Sequence, residues 1–299
     1  MSIAVHAHGR SENLRGIGAM LLAMAAFVVN DTLMKLAGGR LPIGEAIFIR
    51  ATLTTGLGLI LIVGSGMVSA LAHAFSSRVM WRAAADLDGT FTFLAALVHM
   101  PMADIFGLLQ FVPLAVTAGA AVFMGAKVGW RRWTATCVGL LGVLLIVRPG
   151  GVAFEPYTIL AILAVIFSAA RDLLSRSVPG HVPPLVIVTT AAALVALTSP
   201  AFIAFEDWRQ PSLSTFGILV VAAAALLAGQ YWLVAAMRTG EIAVVAPFRY
   251  SILLWAILAG FLVWGEVPDL PTWAGIAIVT GAGLYTFLRE QRLKKLARA

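Results

Sequence analysis

The chain has 299 residues, of which 61% are hydrophobic and 12% charged, and its formal net charge is +7. Its mean hydropathy is +0.95. Soluble domains run at roughly 45–50% apolar and about 25% charged residues, and a fold in water cannot hide this much apolar surface, because area falls too slowly relative to volume. A water-soluble domain is excluded, and lipid is the natural solvent.

A spanning helix needs about 20 apolar residues. In chain order such stretches predict helices at 16–37, 43–63, 79–98, 102–124 and 133–148, then 156–176, 183–205, 213–237, 242–264 and 271–288. Residues 1–15 form a polar leading segment, 16–150 and 151–288 two five-helix halves, and 289–299 a basic tail. The first thirteen residues are polar and no small-residue cleavage site follows the first stretch, so no cleavable signal is expected. The single cysteine, Cys137, lies inside the fifth stretch, which leaves no disulfide or cysteine metal site. No cofactor and no metal are expected, and His73, His99 and His181 read as unremarkable loop or helix-end residues.

The basic residues orient this array. Fifteen of the 21 Lys and Arg fall on one face, including Arg78, Arg82, Arg131, Arg171 and the tail REQRLKKLARA. Four fall on the other, namely Lys35, Arg40, Arg148 and Arg209, while Arg50 and Arg249 lie within helices. The positive-inside rule then puts both termini in the cytoplasm, in agreement with an even number of spans. The charge serves topology and lipid contact rather than nucleic acid.

The second half echoes the first. Residues 91–133 align without gaps on 231–273, with Ala95, Ala96, Ala103, Gly125 and Trp133 matching Ala235, Ala236, Ala243, Gly265 and Trp273. Asp31, Leu33, Lys35, Gly39 and Pro42 match Asp172, Leu174, Arg176, Gly180 and Pro183 at an offset of 141. Five crossings are an odd number, so the second copy enters from the opposite side of the membrane. The expected fold is an all-α polytopic membrane protein, with ten transmembrane helices as two inverted five-helix repeats around a central cavity.

Over residues 15–290 the chain resembles the drug/metabolite transporter superfamily, in particular its ten-helix members with two EamA-type halves. The resemblance rests on FIRATLTTGLG (48–58), ALVHMPMADIFGLLQFVPL (96–114), KVGWRRW (127–133), GLLGVLLIVRPG (139–150) and GEIAVVAPFRYSILLWAILAGFLVWGEVPD (240–269). Within the superfamily it is most similar to bacterial exporters of amino acids and related metabolites, which implies a cytoplasmic membrane location. The family has a Gly-Glu near the end of the fourth helix of each half; the second copy keeps it as Gly265-Glu266, whereas the first reads Gly125-Ala126.

An ionisable side chain at mid-bilayer costs about 2.5–3.5 kcal/mol on insertion scales, so each one needs a reason. Arg249 stands seven residues into the ninth stretch, about 10 Å from its start, at a depth matching Asp86 and Asp88 in the third. Pairing Arg249 with one of them would neutralise both. Asp31 and Arg50 form a second set, with Asp31 and Lys35 spaced for an i,i+4 pair; the repeat mate Asp172, beside Arg171, sits at the other face. Asp86, Asp88 and Arg249 are also candidates for lining a substrate cavity, and Asp31, Arg50, Arg171 and Asp172 are the gate or ion-pair candidates.

Thr90 and Thr92, Gln110, and Gln230, Tyr231 and Trp232 lie at intermediate depth, and Gln110 aligns with Tyr250. They offer hydrogen bonds and aromatic faces to a small-molecule cargo, with interhelical hydrogen bonding as the alternative role. Pro113 and Pro247 fall inside the fourth and ninth stretches, where a missing N–H permits a bend, which makes them hinge candidates. Gly56, Gly58, Gly281 and Gly283 read as close-packing positions.

No Walker A motif appears, so the expected activity is secondary or facilitated transport by alternating access, not enzymatic catalysis. The resemblance implies export of amino acids or similar metabolites. A multidrug or cationic-compound exporter is the alternative, with a nucleoside or nucleotide-sugar carrier behind it. The expected partners are the bilayer and the cargo; proton coupling through Asp86, Asp88 or Asp172 and uniport down a gradient both stay open. A monomer suffices, with a dimer left open.

Overall fold

The computed structural model describes residues 10–124, 129–147, 157–175, 177–203, 207–239 and 242–296. The elements run α1 (Arg10–Gly38), α2 (Ile43–Gly64), a 3-10 turn (Val68–Phe75), α3 (Ser77–His99), α4 (Met102–Leu109), α5 (Val112–Met124) and α6 (Trp130–Val147). They continue as α7 (Tyr157–Ser175), α8 (Pro184–Ile203), α9 (Leu213–Thr239), α10 (Ile242–Val245), a 3-10 turn (Ala246–Tyr250), α11 (Ser251–Trp264) and α12 (Leu270–Leu296). Among the described residues there is no strand. Gly125-Ala126, Arg176 and the junction between the two expected halves at 148–156 lie outside the described residues.

Among the described residues, eight helical spans are long and apolar enough to cross a membrane, counting Met102–Val122 and Ala246–Trp264 across their irregular joins. The two expected spans outside that number have clear physical reasons. α3 carries Arg78, Arg82, Asp86 and Asp88 along its 23 residues, and α6 opens on Trp-Arg-Arg-Trp and has only 18. At 1.5 Å per residue the latter covers about 27 Å. α12 continues past the expected end at 288 to Leu296, so most of the basic tail is helical, with cations near a helix C-terminus where the macrodipole favours them.

The fourth and ninth stretches are not the continuous helices that the sequence suggests. The fourth is cut at Gln110 and Phe111, whose N–H groups bond to Gly107 and Leu108 at 3.2 and 3.0 Å. Pro113 follows directly and cannot donate to the carbonyl of Leu109. The ninth is cut by the 3-10 turn that contains Pro247 and ends at Tyr250. Gln110 and Tyr250 are the pair aligned in the sequence, so the fourth and ninth stretches break at the same register.

Packing follows a paired pattern. α1 lies along α9 as α3 lies along α7; α2 also meets α9 as α3 meets α8; α5 meets α7 as α11 meets α1. α2 packs on α8, α6 on α12 and α4 on α11. α4 packs on α11, α12, α6 and α7, and its Met102, Ile105, Phe106 and Leu108 are buried in the main apolar core.

In lipid no hydrophobic effect drives helix association, so close backbone approach matters more. α6 and α12 achieve it with facing glycines: a Cβ on Gly275 would lie 2.6 Å from the Gly142 carbonyl oxygen. Gly58 lies tight against Thr189, and Gly283 against the Tyr250 hydroxyl. Gly56 and Gly281 have open space beside them, so close packing is not their role. Outward-facing Leu254 and Leu262 are about 70% exposed, a liability in water but an ordinary surface against acyl chains.

Candidate transport site

Buried and half-buried charges gather between α1, α2, α3 and α7. On α3, Asp86 lies ten positions into the helix, near mid-span, and Arg82 one turn before it. Arg171 of α7 reaches Asp86 with Nη1 at 3.1 Å and Asp172 with Nη2 at 3.0 Å and Nε at 3.1 Å. Arg82 donates from Nε to the Ser175 hydroxyl at 3.1 Å and lies 3.8 Å from Asp86. Ser175 in turn donates to the Arg171 carbonyl at 2.7 Å. One guanidinium thus holds two carboxylates, the geometry that a planar five-donor fork allows and a lysine does not.

A second group stands on α1 and α2. Asn30 donates to Asp31 at 2.7 Å, and Arg50 donates to the Asn30 side-chain oxygen at 3.4 Å. Arg50 is 7% exposed, and its Nε is buried without an acceptor. Such a donor has lost water and gained no replacement. Asp31 and Asp86 both act electrostatically on Arg50, so the two groups belong to one field. Formally three arginines (Arg50, Arg82, Arg171) face three aspartates (Asp31, Asp86, Asp172).

Two expected pairings are corrected. Asp86 is held by Arg171 and Arg82, not by Arg249, which is exposed, as is Asp88. The ninth stretch breaks into a 3-10 turn around Arg249, so straight-helix depth does not describe where that side chain lies. Lys35 does not pair with Asp31: its ammonium donates to Glu266 at 2.6 Å and to the Met100 carbonyl at 2.7 Å. That knot lies at the end of the bundle where the C-termini of α1, α3 and α11 meet.

The uncharged candidates scatter. Gln110 is 7% exposed at the break between α4 and α5. Gln230 of α9 lines a cavity of about 180 Å³ together with Arg82, Ser175, Val178, Pro184, Ile187 and Val188. Tyr231 and Trp232 contact each other edge to face at 5.4 Å, and Tyr231 is 68% exposed. Thr92 donates back to the Asp88 carbonyl on its own helix at 2.7 Å, and Thr90 is half-buried on the same helix. A larger groove of about 340 Å³, lined by Trp130, Arg131 and Tyr285, lies between α6 and α12, away from the buried charges.

Sequence reading missed Arg82, Ser175, Asn30 and Glu45. Arg82 passed as a topology marker near a helix start. Glu45 is fully buried in the first turn of α2 and accepts the Arg209 N–H at 2.9 Å; a carboxylate two residues into an apolar helix was the available signal. The histidines are less plain than expected: His73 meets His181 at 4.9 Å, and His99 stacks on Tyr157 at 3.7 Å.

Long apolar helices, with no strand among the described residues, define an α-helical polytopic membrane protein. The EamA-like transporter family matches residues 156–288. The chain is 30% identical to the riboflavin transporter of Vibrio cholerae over 202 residues, 67% of this chain and 66% of that protein. It is 28% identical to the pseudopaline exporter CntI of Pseudomonas aeruginosa over 269 residues, covering 89% of this chain and 94% of that one. Against the S-adenosylmethionine uptake transporter of Rickettsia conorii it is 24% identical over 279 residues, covering 93% and 94%. A solved crystal structure of a protein 21% identical superposes with a TM-score of 0.60 over 92% of this chain and 98% of that chain, a likeness of fold. The chain belongs to the drug/metabolite transporter superfamily. It is a membrane transporter of small molecules.

Proposed function

We propose that this protein is a secondary or facilitative carrier that exports small zwitterionic metabolites, amino acids first among them, across a bacterial cytoplasmic membrane with both termini inside. The observation that carries the reading is the Arg50–Asp31 and Arg171–Asp86–Asp172 field, in which Arg50 is buried and the other four groups are half-buried, beside paired helix breaks. Charges of both signs held together within the helix bundle suit a cargo bearing both an ammonium and a carboxylate. Nucleotide sugars would need an excess of basic groups, and formally balanced charges supply none.

Ten spans in two inverted halves are the architecture of this reading. Its support is the exchange symmetry of the packing, in which α1 with α9 mirrors α3 with α7, and α5 with α7 mirrors α11 with α1. The breaks at Gln110 and at Ala246–Tyr250, with Pro113 and Pro247 beside or within them, are the hinges about which each half opens one end. Gln110, Gln230 and Tyr250 supply the uncharged part of the cargo site, and Asp86 or Asp172 the candidate proton carriers.

The names of the relatives support a second reading. Riboflavin, S-adenosylmethionine and pseudopaline transporters favour a larger cargo that carries a ring system or several polar groups, with Tyr231 and Trp232 as stacking faces.

Counterflow in proteoliposomes separates these readings. Vesicles are preloaded in turn with neutral and aromatic amino acids, riboflavin, S-adenosylmethionine, cationic drugs and nucleosides, with and without a proton gradient. Saturable exchange of amino acids supports the first reading, and exchange of riboflavin or S-adenosylmethionine alone supports the second. Non-saturable flux overturns the carrier.

A further inference from the structure

We propose that Lys35 and Glu266 form the reversible lock that holds one end of the bundle shut, which makes them positioning residues of the transport cycle. The inference rests on the carrier reading, and its observations are separate from the cargo field. Three distant stretches meet at this point. Lys35 comes from the last turn of α1, Met100 and Met102 flank the α3–α4 junction, and Glu266 follows α11. Lys35 Nζ donates to Glu266 Oε1 at 2.6 Å and to the Met100 carbonyl at 2.7 Å, and stands 4.6 Å over the Trp264 ring. The other carboxylate oxygen, Oε2, accepts the Met102 N–H at 2.8 Å.

Each group is placed by a local device. Gly265 takes φ +70°, a left-handed turn that ends α11, and the Glu266 N–H returns to the Gly260 carbonyl at 3.1 Å. A Cβ on Gly260 would stand 2.9 Å from Glu266 Oε2, so glycine leaves the carboxylate its space. α4 begins after Pro101, whose side chain cannot cap it, so its first N–H is completed by a residue 164 positions away. That bond exists only while this end is closed. Gly38 packs on Val98 close enough that a Cβ would sit 2.5 Å from Cγ2, so α1 and α3 also touch at this end.

A desolvated ion pair suits a lock. Its attraction is largely offset by the hydration that both groups regain when parted, so the closed state is specified without being irreversible. A single unpartnered charge has no such compensation. In the other half the aligned residue is Ala126, so no carboxylate from that position can do the same at the opposite end. The pair therefore biases the resting population toward closure at its own end.

The test uses Thr32→Cys in a Cys137→Ser background. Thr32 is 9% exposed, one turn before Lys35, with its hydroxyl 3.8 Å from Met102 sulfur. A membrane-impermeant maleimide is added to each side of sealed vesicles. Labelling from the lock side is slow in the parent, rises about ten-fold in Glu266→Gln and in Lys35→Met, and stays slow in Lys35→Arg. A second arm joins Lys35→Cys to Glu266→Cys with a reducible bifunctional reagent; transport stops on cross-linking and returns on reduction. Parent-rate labelling in folded Glu266→Gln, or full transport by the cross-linked protein, overturns the lock. Labelling needs no cargo, so fast labelling without saturable exchange leaves the lock standing and overturns the carrier reading instead.

Discussion

Arg171 of α7 contacts the Asp86 carboxylate of α3 at 3.1 Å while also holding Asp172 at 3.0 Å, so one side chain binds the two expected halves together at the level of their buried charges. Both partners keep about a quarter of their side-chain surface accessible, which places the contact between a sealed core pair and a surface one.

Breaking that contact from one side leaves an uncompensated charge. Arg171→Met is expected to lower stability by about 2 kcal/mol, read as a fall in detergent melting temperature. Arg171→Lys keeps the charge but cannot hold two carboxylates and should fall between. Adding Asp86→Asn to Arg171→Met should recover part of the loss, because the remaining mismatch is smaller. Equal losses in the single and double variants would show that the two residues do not interact.

Arg50 separates stability from transport. Arg50→Met removes the orphaned Nε but strands Asp31; a further Asp31→Asn change removes the stranded charge. The double variant should melt within about 1 kcal/mol of the parent and still lose at least about ten-fold in counterflow rate, if the field serves the cargo. Recovery of transport together with stability would reduce the pair to a packing element.

The glycines give a steric contrast on one helix. Gly275→Val must push against the Gly142 backbone and Ile146, and should cost about 1–3 kcal/mol. Gly281→Ala, with nothing within 4 Å of its new Cβ, should be neutral or stabilise by about 0.5–1 kcal/mol through helix propensity. Thermal melts of the two variants side by side check both.

Pro247→Ala restores a backbone donor within the 3-10 turn between α10 and α11. If that break is a hinge, transport should fall about ten-fold while the melting temperature holds or rises, because a straighter helix resists opening. Unchanged counterflow in this variant counts against a hinge.

Sequence alone determined that this chain lives in lipid and where its apolar stretches lie, because composition and a span of about 20 residues are properties of the chain itself. It also marked Pro113 and Pro247 as places for a bend, since a missing N–H acts locally, but Gln110 and Tyr250 only as cavity candidates, and the helix breaks at those two positions came from the structure. What it could not rank was partners. Asp86 had Arg249 at a matching depth and Arg171 apparently at a helix end, and only the docking of α3 against α7 selected Arg171. Lys35 had Asp31 one turn away, yet it reaches Glu266, 231 positions on. Charge pairing in a bundle depends on which helix faces lie together, and helix period and depth constrain that only along the axis. The tertiary structure decided the rotation of each helix, and with it which charges meet.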